Sequence, residues 1–146
     1  MLFRSYDFTE GFATVSLGEK WNFIDTDGNI LSKQWFSNCW YFNEGFAKVV
    51  LGRKFNFIGT DGNMLSDQWF NWCCDFHEGL ARVQLGEKLN FIDTDGNILS
   101  DQWFDSCSDF NEGFADVKLG ETWYTIDKDG KLYDANTKQP NGYLYK

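Results

Sequence analysis

Proline and histidine are nearly missing from this chain, with one residue of each among 146. With proline so scarce, the 14 glycines must supply most of the turns. A single imidazole, His77, gives little basis for a nucleophile–base pair. Positive charge is also short: 13 Lys and Arg face 22 Asp and Glu, for a net charge of −9. The phosphate attraction on which nucleic-acid binders depend is therefore lacking, and anionic membrane surfaces repel the chain on average. No apolar run approaches the roughly 20 residues of a membrane-spanning helix, and the opening MLFRSYDF has no charged-then-apolar leader pattern. The expectation is a cytoplasmic protein without membrane insertion. No glycine-rich phosphate loop of the GxxxxGK or GxGxxG kind is present, nor any paired CxxC spacing of the zinc type. No stretch carries a helical 3.6-residue period.

Aromatic residues fill the gap these absences leave. They make up 19% of the chain, with 15 Phe and 7 Trp, against 24% charged residues, as befits a folded domain. Their placement is periodic. The stretches FTEGFATV, FNEGFAKV, FHEGLARV and FNEGFADV begin at Phe8, Phe42, Phe76 and Phe110, always 34 residues apart. The turns IDTDGN, IGTDGN, IDTDGN and IDKDGK keep the same interval from Ile24, Ile58, Ile92 and Ile126, and QWF recurs at Gln34, Gln68 and Gln102. Spacing this strict means that each unit meets its neighbours in one fixed geometry.

Within a unit the period is two. In GFAKVVLG, Phe46, Lys48 and Val50 share one face and Ala47, Val49 and Leu51 the other. KFNFI then leads through a Gly-containing turn into NMLS, as a β-hairpin does. The expected fold is all-β: about four 34-residue, three-stranded units in an open β-solenoid or superhelix, with a β-propeller-like ring as the alternative. The 146 residues form one repeat domain, with a partial unit at 1–7, repeats at about 8–41, 42–75, 76–109 and 110–134, and a C-terminal cap at 135–146. Pro140-Asn141-Gly142 predicts one more turn in that cap.

The pattern F-x-E-G-x-A-x-V, followed by G-x-K-W/F-x-F-I-D-x-D-G, resembles the bacterial WG (or KWG) repeat family over roughly residues 8–134. The resemblance implies a repetitive β architecture and no single activity. The namesake Trp-Gly is altered to Trp21-Asn22, Phe55-Asn56, Leu89-Asn90 and Trp123-Tyr124. Asn is the residue after Gly most tolerant of positive φ, so three of these changes are expected to preserve a backbone need, which Tyr124 does not.

Candidate chemistry is sparse. In DTDGN, Asp25, Asp27 and Asn29 sit as the first ligands of a calcium loop would, but Gly28 falls two places early and apolar Ile30 follows. The second copy replaces the first aspartate by Gly59. The turn reading explains every copy, so Asp27-Gly28, Asp61-Gly62, Asp95-Gly96 and Asp129-Gly130 are taken as structural hairpin turns. Cys39, Cys73 and Cys107 share one repeat position, with Cys74 beside the second, and are expected to act as small buried hydrophobes. No catalytic residue, metal site or cofactor is expected, and the chain is read as no enzyme.

The candidate partner surface is the column Glu10, Glu44, Glu78 and Glu112 together with Trp40 and Trp72, the aromatics expected to be most exposed. The glutamates could meet a basic partner, although accepting hydrogen bonds from turn amides is the better explanation, since one polar turn residue per unit is expected anyway. The predicted function is a non-catalytic repeat scaffold for a protein partner, for self-association, or for a larger assembly. The alternative is a glycan- or choline-binding module built on repeated aromatics. For that alternative, WYTIDKDGKLYD is similar to the hairpins of choline-binding repeats of bacterial surface proteins.

Overall fold

The structure, a computed structural model, describes residues 4–5, 7–134 and 143–145, with side chains over 7–133. Every regular element among them is a strand: β1 (Arg4–Ser5), β2 (Phe12–Leu17), β3 (Lys20–Asp25), β4 (Asn38–Asn43), β5 (Phe46–Leu51), β6 (Lys54–Gly59), β7 (Trp72–His77), β8 (Leu80–Leu85), β9 (Lys88–Asp93), β10 (Ser106–Cys107), β11 (Phe114–Leu119), β12 (Thr122–Asp127), β13 (Leu132–Asp134) and β14 (Tyr143–Tyr145). They form sheets β1-β2-β3, β4-β5-β6 and β7-β8-β9, and a longer β10-β11-β12-β13-β14. The architecture is thus all-β and repetitive, as the period of two requires. The turn expected at Pro140-Asn141-Gly142 lies outside the described residues.

The chain divides into two compact units, Met1–Asp75 and Phe76–Lys146. Each has its own apolar core. The first is built on Phe23, Phe36, Phe42, Ala47, Val49 and Ile58. The second is built on Leu80, Phe91, Phe104, Phe110, Val117 and Ile126. Alternation along β5 buries Ala47 and Val49 while Lys48 stays half-exposed. The rings interlock: Phe42 stacks on Phe12 at 4.7 Å and meets Phe23 edge-on at 4.9 Å, and Phe91 meets Phe110 at 4.8 Å. Such edge and offset contacts add to the burial gain of each ring.

The hairpins at the EG dipeptides are two-residue loops. Glu44 and Gly45 lie between the paired residues Asn43 and Phe46, and both have positive φ, 53° and 86°. This is the type I′ pattern, whose twist matches that of the flanking strands. Glu at such a φ costs about 1–2 kcal/mol relative to Gly, and yet Glu10, Glu44, Glu78 and Glu112 all adopt it.

The asparagines of the altered Trp-Gly dipeptide correct the backbone argument made from sequence. Asn22, Asn56 and Asn90 lie within β3, β6 and β9, and the four glutamates alone have positive φ among described non-glycine residues. Their side chains supply the reason for Asn. After the DG turn the chain runs back antiparallel to β3, with Asp25 N–H on Asn29 O and Leu31 N–H on Phe23 O. Register then jumps: Trp21 and Phe36 exchange both backbone bonds at 2.8 Å, so Ser32–Trp35 bulges outward. Asn22, fully buried, holds that bulge. Its Nδ2 donates to Ser32 O (2.8 Å) and Gln34 O (3.3 Å), and its Oδ1 accepts from Phe23 N (2.7 Å) and Ser32 N (3.3 Å). Glycine cannot do this, and an apolar residue would orphan buried backbone groups.

In the fourth copy Tyr124 stands in the asparagine position, and the returning segment forms β13, pairing Tyr124 with Asp134, Thr125 with Tyr133 and Ile126 with Leu132.

Candidate functional site

The glutamate column is used from within. In the first unit the Glu10 carboxylate accepts from the amides of Glu44 and Gly45, both at 2.9 Å. In the second unit Glu78 accepts from Glu112 N (2.7 Å) and Gly113 N (2.9 Å). One repeat's turn thus grips the next repeat's turn by two charge-assisted bonds, which offset the strained Glu backbone. These bonds hold the Glu78 carboxyl below its ordinary range, the Gly113 amide first and the Glu112 amide second, with Lys128 at 3.4 Å adding to them.

The DG turns close on themselves. Gly28 N–H reaches Asp25 O at 3.1 Å, with φ of Gly28 at +89°. Asp25 Oδ1 accepts from the amides of Asp27 and Asn29, each at 2.9 Å. The Asn29 amide is the main cause of the lowered Asp25 pKa. Where Gly59 replaces this aspartate, Asp61 takes over and accepts from Asn63 N at 3.0 Å. Gly62, Gly96 and Gly130 keep φ between +86° and +89°. Asp95 and Asp129 each donate a backbone amide to the aspartate two residues before them, at 2.9 Å. No cluster of three or more His, Cys, Asp or Glu suited to a metal occurs among the described residues.

Cys39, Cys73 and Cys107 are buried and unbridged. Burial raises all three thiols, Cys107 to about 12. A thiol so raised is a poor nucleophile at neutral pH. His77 stands exposed, 3.5 Å from Asp109, whose carboxylate also takes Arg82 Nε at 2.8 Å.

A concave surface rich in aromatics lies in the first unit. Phe12, Trp21, Trp40 and Tyr41, with Asp7, Thr9 and Thr14, line an open groove of about 400 Å³. It is shaped by a bulge in β4. Pairing runs Asn38 to Val50 and Cys39 to Val49, then slips by one residue to Phe42 with Ala47. Cys39 and Phe42, three apart, would point to opposite faces of a regular strand; the extra residue buries both and displays what lies between. Tyr41 is consequently 61% exposed, and Trp40 lies half-buried with Lys48 Nζ 4.6 Å from its ring centre. Trp72 is 37% exposed. Tyr41, Phe8 (50%) and Trp123 (45%) are all more exposed than Trp72, although the sequence pointed to Trp40 and Trp72 as the exposed aromatics. The odd Cys-x-x-Phe spacing was the available signal for Tyr41.

The family model for the WG containing repeat matches residues 5–21, 23–55, 57–88 and 91–123. The chain belongs to that family. No curated protein matches it in sequence. Among solved structures it is similar to KlHsv2 with loop 6CD replaced by a Gly-Ser linker, at 10% identity and a TM-score of 0.46, covering 90% of this chain and 51% of that one. It is similar also to Kluyveromyces lactis Hsv2 (9% identity, TM-score 0.44, 94% and 48% covered). A third is a protein of unknown function from Bacteroides caccae (14% identity, TM-score 0.37, 90% and 60% covered). The chain spans about half the length of the first of these.

For this WG-repeat chain, membership fixes a repeated β fold and leaves activity open. No helix among the described residues is long and apolar enough to cross a membrane. Of the residues singled out by sequence, Trp40 alone lines the aromatic groove; Glu10 and Glu78 are engaged by turn amides.

Proposed function

We propose that this WG-repeat chain is a non-catalytic scaffold that binds a protein partner or forms a structural part of a larger assembly. The observation that carries the reading is the groove of Phe12, Trp21, Trp40 and Tyr41, an open aromatic surface shared by the sheets β1-β2-β3 and β4-β5-β6. Aromatic anchors with few rotatable bonds are what protein interfaces favour at their centres. Asp7 at the groove's edge and the net charge of −9 support a partner with basic side chains through long-range attraction.

The test compares proteins retained from source-cell lysate by the immobilised chain and by a Trp40→Ala/Tyr41→Ala variant. Retention lost in the variant supports the reading; equal retention, or none by either, sinks it. The second reading, a small-ligand module for glycan or choline, rests on Tyr41, whose exposed face could stack on a sugar or cap a quaternary ammonium. Tryptophan fluorescence that stays constant through a millimolar titration of choline or cell-wall glycan ends it for those ligands.

A further inference from the structure

We infer that the face of the last repeat formed by Asn111, Glu112, Phe114, Ala115, Asp116 and Thr125 receives the Phe8–Gly11 turn of a second copy of this chain. The inference deepens the scaffold reading above and rests on it.

The contact already exists inside each unit, which supplies its template. Glu10 grips the Glu44-Gly45 amides and Glu78 grips the Glu112-Gly113 amides. Glu112, the fourth of the column, has the same backbone φ of 53°, and its carboxylate has no partner among the described residues. At the other end of the series, the amides of Glu10 and Gly11 have no acceptor among the described residues. One end therefore offers the acceptor pair and the other the donor pair that the internal contacts join.

The apolar part matches as well. The phenylalanine that opens each repeat is buried in three copies, with Phe42, Phe76 and Phe110 between 1% and 4% exposed, whereas Phe8 is 50% exposed. Phe42 is buried against Phe12 and Phe23 of the repeat before it. The equivalents in the last repeat are Phe114 and Thr125. Thr125 replaces a ring, and a cavity of about 520 Å³ lies beside it, lined by the six residues named above with Ser108 and Asp109. Its hydroxyl is buried and has no hydrogen-bond partner among the described residues. Asp116 stands where Lys48 reaches Cys73 O at 3.4 Å, so that cationic contact has no counterpart in the proposed interface. The contact is head-to-tail: each copy uses a different surface, and a head and a tail remain free after each addition.

Sedimentation velocity over a concentration series tests this, with circular dichroism confirming that each variant folds. The wild-type chain is expected to associate reversibly, with species beyond a dimer at the highest concentrations. Raised salt should strengthen association, because two copies of charge −9 repel each other. Phe8→Ser and Glu112→Asn, the latter chosen because Asn tolerates the positive φ while being too short to reach, should each raise the required concentration by at least about tenfold. An equimolar mixture of the two variants should form a one-to-one heterodimer, since the first keeps an intact tail and the second an intact head. A wild-type chain that stays monomeric, variants that associate as the wild type does, or a mixture that fails to pair would each overturn the inference. A monomeric chain that still captures a different protein through Trp40 and Tyr41 would leave the scaffold reading standing and remove this one.

Discussion

Replacing Asn90 by alanine strips the third repeat of the side chain that holds its bulge. Asn90 is fully buried; its Nδ2 donates to Ser100 O at 2.9 Å and Gln102 O at 3.1 Å. Its Oδ1 accepts from Phe91 N at 2.8 Å and Ser100 N at 3.3 Å. The Phe91 amide is in the core, so its orphaning costs about 1–3 kcal/mol. The groups of Ser100 and Gln102 are half-buried and recover some hydration, at about 0.5–1 kcal/mol each. The expected loss is about 2.5–6 kcal/mol, a large share of a small domain's stability. Urea unfolding followed by tryptophan fluorescence and circular dichroism reads it, provided both probes give one transition. Asn90→Asp sharpens the test, because its shape is unchanged. The aspartate keeps the acceptor but turns an oxygen toward two carbonyls. It should therefore be at least as destabilising at neutral pH and recover partly on acidification, when the carboxyl gains a proton to donate. An alanine variant losing less than about 1 kcal/mol, or an aspartate variant as stable as the wild type at neutral pH, would refute the argument that the side chain holds the bulge.

Three further outcomes are expected. Gly45→Ala should cost about 1–2 kcal/mol for its positive φ alone, since its Cβ would meet open space. Gly62→Ala should cost at least about 1 kcal/mol more, because its Cβ would lie 2.7 Å from the Leu31 carbonyl oxygen; equal midpoints in urea would contradict this. Alkylation of the native chain at neutral pH should spare Cys39, Cys73 and Cys107 and favour the half-exposed Cys74, whereas the unfolded chain labels at all four; fast native labelling of Cys107 would contradict the burial argument. Glu78 has a depressed folded-state pKa, so its contribution is complete above its ordinary value of 4.5 and lost as pH falls through the lower folded value. Glu78→Gln should flatten the acid limb of the stability profile in that window, and an unchanged limb would show that the turn amides do not hold the carboxylate.

The features legible in the sequence are those set by local periodicity. The 34-residue interval, the alternation in GFAKVVLG and the Gly positions in EG, LG and DG each report a backbone requirement met within a few residues, and all reappear in the sheets. The candidate surface was legible only in part, because exposure depends on register. Trp40 and Trp72 were singled out by comparing copies, while Tyr41 is more exposed than either since the β4 bulge turns it outward. The glutamate column was visible as a column, but its use was not, because Glu10 meets Glu44 across 34 residues of chain.

By itself the sequence determined the repeat length, the all-β class and the turn sites, since these follow from side-chain alternation and from which residues tolerate positive φ. Only the tertiary structure decided why Asn replaces the Gly of the family dipeptide. A φ argument drawn from residue type pointed to the backbone, whereas the buried amide of Asn22 serves Ser32 and Gln34, groups ten and twelve residues away. Tertiary structure also decided which carboxylates are occupied. Local propensity sees one residue and its near neighbours; a buried hydrogen bond is fixed by what packing brings within 3 Å of it, and no single-residue preference encodes that.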